Sequence, residues 1–385
     1  MNSKRCAVGT MNLSSNIYDF QYRLRRFLIG RLYGFSRRAD AAPVNAETFR
    51  PRKVLFVLTG LLGDSIMSAP VLVEARRLWP EAHLVLLGQS RHEELFAACP
   101  VIDEFYRFDA DPFSLRQSGA VKDLQKWLDA QNFDLAAILL GDNTAPLLAR
   151  AKIPVRVGVR GMPLEACLTH RYDIGGPRDW TARERLNALR CLGYEIKDSL
   201  PQLWVADEAR RGAREKLFRL GLSAGEKYVA LHPFGSEPRK WWSVERIAPL
   251  AARLRARYNL KTVLIGGREK VSLAGESENI VNTTGELSVG ELLAVIENSL
   301  LVVTTDSGPF HIAAALNKPI IGLFRAVRPG YARIYPQTSV VFGENEACLS
   351  NCRWDFCQTD PCRQMQGISV EKVLEMINDE CGMMN

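Results

Sequence analysis

The chain is punctuated by short, continuous apolar runs: KVLFVLT (53–59), HLVLLG (83–88), DLAAILL (134–140), KYVALHP (227–233), KTVLIGG (261–267), LLVVTT (300–305) and PIIGLF (319–324). Each is too short for a core helix. Each lacks the polar alternation of a half-exposed strand, so it reads as a strand buried on both faces. A further strand is predicted over 104–108, and loops with one short strand over 155–177. Helical spacing fills the intervals over 63–79, 121–131, 181–192, 207–220, 243–258, 287–298, 309–316 and 369–381. Alternation of this kind builds a parallel sheet with helices on both sides. The series runs twice, with 201–206 as the crossing. The expected fold is α/β, with two doubly wound, Rossmann-like domains facing across a cleft. Ligands of such sheets bind outside the carboxyl ends of the strands.

A chain of 385 residues accommodates two such domains. No apolar run approaches a membrane span of about 20 residues. The first residues lack the apolar core of a secretion signal, and a cytoplasmic location is the expectation. The net charge of +7 resides in residues 1–52, which hold ten Lys/Arg against three Asp/Glu. The remainder balances to zero, which argues against nucleic acid as a partner. Within that arm, Phe20, Leu24, Phe27, Leu28, Leu32 and Phe35 recur at helical spacing among six arginines over 18–38. Such a helix suits an anionic leaflet, or packing on its own protein or a second subunit. The expected organisation is a basic arm (1–52), a first domain (53–205), a second domain (206–347) and a Cys-rich loop with a terminal helix (348–385).

The segment Leu300-Leu-Val-Val-Thr-Thr-Asp-Ser-Gly-Pro-Phe-His311 reads as a strand that breaks sharply into a helix. Pro309 suits the first helical position, and Ser307 or Gly308 can cap it. The N–H groups of Ser307 to Phe310 are then expected to point outward, where the helix dipole favours a phosphate. Asp306, beside them, is suited to accept hydrogen bonds from sugar hydroxyls. An ordinary capped turn is the plainer alternative.

Three other loops follow strands at the same edge. In Thr59-Gly-Leu-Leu-Gly-Asp64, Gly63 allows close backbone approach, and Asp64 is aimed into the cleft or merely complements its helix dipole. In His232-Pro-Phe-Gly-Ser-Glu-Pro-Arg-Lys240-Trp-Trp242, Arg239 and Lys240 offer cations to phosphates, with the tryptophans as anchors. In Gly266-Gly-Arg-Glu269, the carboxylate can hold ribose hydroxyls or is simply a helix N-terminal glutamate.

Taken together, G-x-x-G-D, a lysine and tryptophan after a glycine-containing loop, and D-S-G-P-x-H resemble glycosyltransferase family 9, the ADP-heptose:lipopolysaccharide heptosyltransferases. The resemblance covers roughly residues 52–324. It implies the two-domain GT-B architecture and inverting transfer that requires no cofactor. It implies that Asp64 is the catalytic base, Lys240 faces the donor phosphates, Glu269 the nucleoside and Asp306 the sugar hydroxyls. Gly63, Ser307, Gly308 and His311 would lie on the donor side. The implied partners are an ADP-heptose-like donor and a cell-envelope glycolipid or glycan acceptor; the amphipathic spacing of residues 18–38, which lie outside the resemblance, is the candidate contact with the inner membrane. Nucleotide-sugar 2-epimerases share this architecture, and a protein heptosyltransferase or a non-catalytic binding subunit also remains open. Acceptor-dependent release of nucleotide separates transfer from the others.

Nine cysteines are present, and four cluster as Cys348, Cys352, Cys357 and Cys362. Four thiolates within that span can hold a structural Zn or Fe. Free thiols and disulfides are the competing readings. The dispersed remainder suits a reducing compartment.

Overall fold

A computed structural model of the chain describes residues 24, 28, 44–113, 117–174, 181–235, 238–267, 278–325, 335–343 and 362–382. The first half runs β1 (Lys53–Leu58), α1 (Leu62–Leu78), β2 (His83–Gly88), α2 (Ser90–Phe96), β3 (Glu104–Arg107), α3 (Ser118–Gln131), β4 (Leu135–Leu140), α4 (Ala145–Arg150), β5 (Val155–Val159), β6 (His170–Tyr172) and α5 (Thr181–Arg190). The second runs α6 (Asp207–Arg219), β7 (Tyr228–His232), α7 (Ile247–Tyr258), β8 (Lys261–Leu264), β9 (Ile280–Asn282), α8 (Val289–Asn298), β10 (Leu301–Thr305), α9 (Gly308–Ala315), β11 (Ile320–Phe324), β12 (Thr338–Phe342), α10 (Arg363–Gly367) and α11 (Val370–Gly382).

Each half forms a six-stranded sheet, in the orders β3-β2-β1-β4-β5-β6 and β12-β11-β10-β7-β8-β9. Every pairing is parallel. Read from β9, the second order repeats the first. Both therefore reverse direction at their middle pair, β1/β4 and β7/β10, where doubly wound sheets open a ligand crevice.

The apolar runs behave as their composition demands. Val54 to Leu58 are fully buried between two neighbours, and so are Val229 to Leu231 and Leu301 to Val303. One apolar cluster passes from the first half into the second through Ile66, Met67, Phe310 and Tyr335. The halves touch where α1 meets α9 and where α2 meets α8. The Tyr335 hydroxyl donates to Met67 Sδ at 3.2 Å across the first contact. The crossing segment is tied down by the Leu203 N–H, which donates to the Ala315 carbonyl at 3.2 Å.

The differences from expectation have physical causes. The 155–177 stretch holds two strands, because β6 is a polar three-residue edge strand with no apolar run. Strands β9 and β12 also close sheet edges, where half-exposed residues weaken the pattern. Helices α2 and α4 are too short to display a periodicity. The 243–258 helix opens with a tighter turn over Val244–Arg246. Asp207 is the first helical residue, and Ala206 is the cap.

Candidate active site

Both crevices open onto one cavity of about 590 Å³. The first half supplies Gly63, Asp64, Met67 and Arg91 to its wall. The second supplies Lys240, Asp306, Ser307, Gly308 and His311. Residues 149 or more apart in the chain thus meet because two sheet edges face each other.

Asp64 lies in the first turn of α1, and its side chain is 43% exposed to the cleft. Behind it stands Arg185 of α5, whose guanidinium Nη2 lies 4.0 Å from Asp64 Oδ1. Arg185 is only 9% exposed, so a fixed cation faces the carboxylate from the protein interior. The loop before Asp64 is held by its Gly60 carbonyl. That oxygen accepts from Arg91 Nη2 at 3.0 Å and from the His92 ring at 3.1 Å. His92 Nδ1 accepts the Gln89 N–H at 3.0 Å, which assigns the proton to Nε2. Burial drives the His92 pKa down to about 4, so the ring is neutral near pH 7.

On the other side, β10 ends at Thr305 and α9 begins at Gly308. Ser307 is the cap residue, but its hydroxyl caps nothing. It turns inward, donating to the Thr305 carbonyl at 3.1 Å and lying 3.1 Å from His232 Nδ1. Burial lowers His232 to about 3, so this tie is between neutral groups. The expected row of outward donors is shorter than the sequence suggested. Helix α9 starts one residue before Pro309, and Pro309 has no N–H. The Phe310 N–H bonds the Ser307 carbonyl at 3.1 Å. The amides available to an anion narrow to Ser307 and Gly308, still on the helix axis.

Lys240 sits in the tight turn Pro238–Lys240, 17% exposed, with Nζ 3.9 Å from Asp306 Oδ2. Its loop is pinned from both sides. The Trp241 indole donates to the Gly235 carbonyl at 3.1 Å. Trp242 is fully buried and donates to the Ile368 carbonyl at 2.8 Å. Gly235 is required by space: a Cβ there would lie 2.6 Å from the Cβ of Lys240. His311 is lowered by burial, against the opposing pull of Asp306 and Asp64.

Glu269, Cys348, Cys352 and Cys357 lie outside the described residues. Cys362 is buried beside Met365 and Ile368 in an apolar cluster. The cleft also has walls that sequence reasoning passed over. Arg91 follows β2 at the same sheet edge as the other loops. The Leu287–Val289 turn is signalled by Ser288-Val-Gly-Glu291, whose two ends cap each other at the start of α8. Arg185 has no local signal, since its place depends on how α5 packs on α1.

The profile of glycosyltransferase family 9 (heptosyltransferase) matches residues 121–360. Lipooligosaccharide heptosyltransferase 2 of Haemophilus influenzae is 31% identical over 365 residues, 85% of this chain and 98% of that protein. Lipopolysaccharide heptosyltransferase 3 of Escherichia coli is 25% identical over 297 residues, 73% of this chain and 84% of the other. Among solved structures, the ADP-heptose lipopolysaccharide heptosyltransferase II of E. coli superposes with a TM-score of 0.70 at 20% identity, covering 85% of this chain and 98% of that one. That likeness extends the GT-B fold over both sheets. With the profile matched over most of the chain, this protein belongs to glycosyltransferase family 9 and is a glycosyltransferase.

Proposed function

We propose that the protein transfers a heptose from ADP-heptose to a lipopolysaccharide core or similar cell-envelope glycan, with inversion at the anomeric carbon. The observation that carries this reading is the single cavity shared by Asp64 and by Lys240 with Asp306. Asp64 takes the proton of the acceptor hydroxyl as it attacks, a contribution of about 10²–10⁴-fold. The bond to the donor diphosphate breaks on the opposite face. Charge developing on that diphosphate meets Lys240 and the amides of Ser307 and Gly308. Asp306 holds sugar hydroxyls, and Lys240 beside it fixes its orientation. Glu269 is assigned to the nucleoside. No step is routed through the cysteine segment.

The acceptor's origin gives the basic arm a role. Residues 18–38 are proposed to lie on the anionic inner leaflet, with the catalytic domains on the cytoplasmic side. Leu24 and Leu28, one helical turn apart, are 42% and 49% exposed, as an interfacial helix requires. Among the described residues, no helix is long and apolar enough to cross a membrane.

The test is Asp64→Asn and Asp64→Ala, assayed with ADP-heptose and heptose-deficient lipopolysaccharide. Transfer is expected to fall by at least ~100-fold, with ADP affinity by calorimetry retained. Near-normal turnover in either variant overturns the assignment.

A further inference from the structure

Helix α2 touches both sides of the cleft. Its first turn reaches back to the loop that carries Asp64: Arg91 and His92 both donate to the Gly60 carbonyl. Glu94, two residues after His92, is directed elsewhere. Its Oε2 accepts the Gly290 N–H at 3.2 Å, in the first turn of α8. That turn belongs to the other domain, and Ser288, Val289 and Leu292 around it line the cleft. The contact therefore sets a carboxylate against the positive end of the α8 dipole. A Cβ at Gly290 would meet Ala209 Cβ of α6 at 3.3 Å and the Glu94 carbonyl oxygen at 4.0 Å, so the glycine lies where α6 and α2 both pack on this turn.

We propose that Glu94 is a positioning residue, and that α2 couples closure of the cleft to placement of the Asp64 loop. The proposal rests on the reading of Asp64 as the base. When the domains separate along this seam, the Glu94–Gly290 bond breaks. When they close, α8 draws α2 into place, and α2 carries the Gly60 carbonyl through Arg91 and His92. Glu94 touches neither Asp64 nor any residue assigned to the donor. Its loss should make the productive closed state less populated and weaken nucleotide binding by no more than that shift.

The experiment compares the full-length protein with Glu94→Ala, Glu94→Gln and, as a control on the same helix, Glu93→Ala. Glu93 faces Arg107 at 3.5 Å within its own domain. Small-angle scattering with and without ADP reads closure, calorimetry reads ADP affinity, and steady-state kinetics separates kcat from KM. Glu94→Ala is expected to lower kcat by about two- to fivefold, the range of a carboxylate at a helix N-terminus. It should also blunt the ADP-induced compaction, with the ADP Kd rising by no more than the same factor, since ADP draws on the closed state. Glu94→Gln should fall between Glu94→Ala and wild type, because it keeps an acceptor but not the charge. Wild-type compaction and kcat in Glu94→Ala, or an equal loss in Glu93→Ala, overturns the proposal. Scattering does not depend on which residue is the base. Normal turnover in Asp64→Ala sinks the functional reading, whereas unchanged compaction in Glu94→Ala sinks this one.

Discussion

The Cδ2 edge of the His311 ring stands so close to Gly63 that a Cβ at position 63 would fall 2.9 Å from it. The first turn of α1 and the first turn of α9 come from different domains, and they meet at this point. The ring cannot simply retreat, because Phe310 and Tyr335 stand edge-on to it at 5.3 and 6.4 Å between centroids.

Gly63→Ala therefore tests the seam. Replacing a helical glycine by alanine adds roughly 1 kcal/mol of helix stability, offsetting part of the overpacking. Overall stability should change by less than about 2 kcal/mol. Turnover should fall by about 10- to 100-fold, as when reacting groups are displaced by about an ångström. Denaturant unfolding alongside kcat/KM checks both halves. Unchanged kcat/KM would show that the contact has no part in aligning the site.

Gly235→Ala and Lys240→Ala should weaken the same function by different routes. The first forces a Cβ against the Lys240 Cβ, which is not a flexible tip, and so moves the lysine. The second removes its charge. Both are expected to raise the ADP Kd by about tenfold or more, equal to one charged hydrogen bond. Lys240→Arg should not restore affinity, because its planar fork does not replace a compact ammonium. Calorimetry with ADP measures all three.

Acid should destabilise the protein before its carboxylates titrate. His92 and His232 are held near 4 and 3 by burial, below the ordinary value of 6.5. The unfolded chain binds these protons first, so stability present above pH 6.5 is lost as pH falls toward the folded values. Each ring contributes roughly 1–2 kcal/mol of loss by pH 5. The midpoint of thermal unfolding should drop between pH 7 and pH 5, and His92→Gln should shrink that drop. An unchanged pH slope in the variant would count against this origin.

Trp242→Ala should unfold the second domain more readily. The indole is fully buried, and its N–H holds the Ile368 carbonyl. Arg246 Nη1 donates to the Met365 carbonyl nearby at 3.2 Å. Truncation opens a cavity and removes one of two donors to the Ile368 carbonyl, which Arg246 Nη1 also bonds, at a cost of about 3–5 kcal/mol. Chemical denaturation reads this directly, and a loss below about 1 kcal/mol would contradict it.

The linear order of residues was enough to specify the alternating strands and helices, the twin domains and the loops at one sheet edge. Those features are local: a run such as Val54–Leu58 can be satisfied only by burial on both faces, and a glycine-rich turn after it has few conformations. The polar edge strand His170–Tyr172 and the seven-residue helix α2 left no such imprint, because their stability comes from neighbours rather than from their own pattern. The inward turn of the Ser307 hydroxyl was also hidden, since its partner His232 arrives from 75 residues away. Arg185 behind Asp64 and Glu94 against Gly290 belong to the same class. Which residues line the cleft could be read along the chain, for Asp64, Lys240, Asp306 and His311 among others. How they face one another was decided only when the two halves packed through α1 against α9 and α2 against α8, because spacing in sequence carries no information about the angle between two rigid bodies.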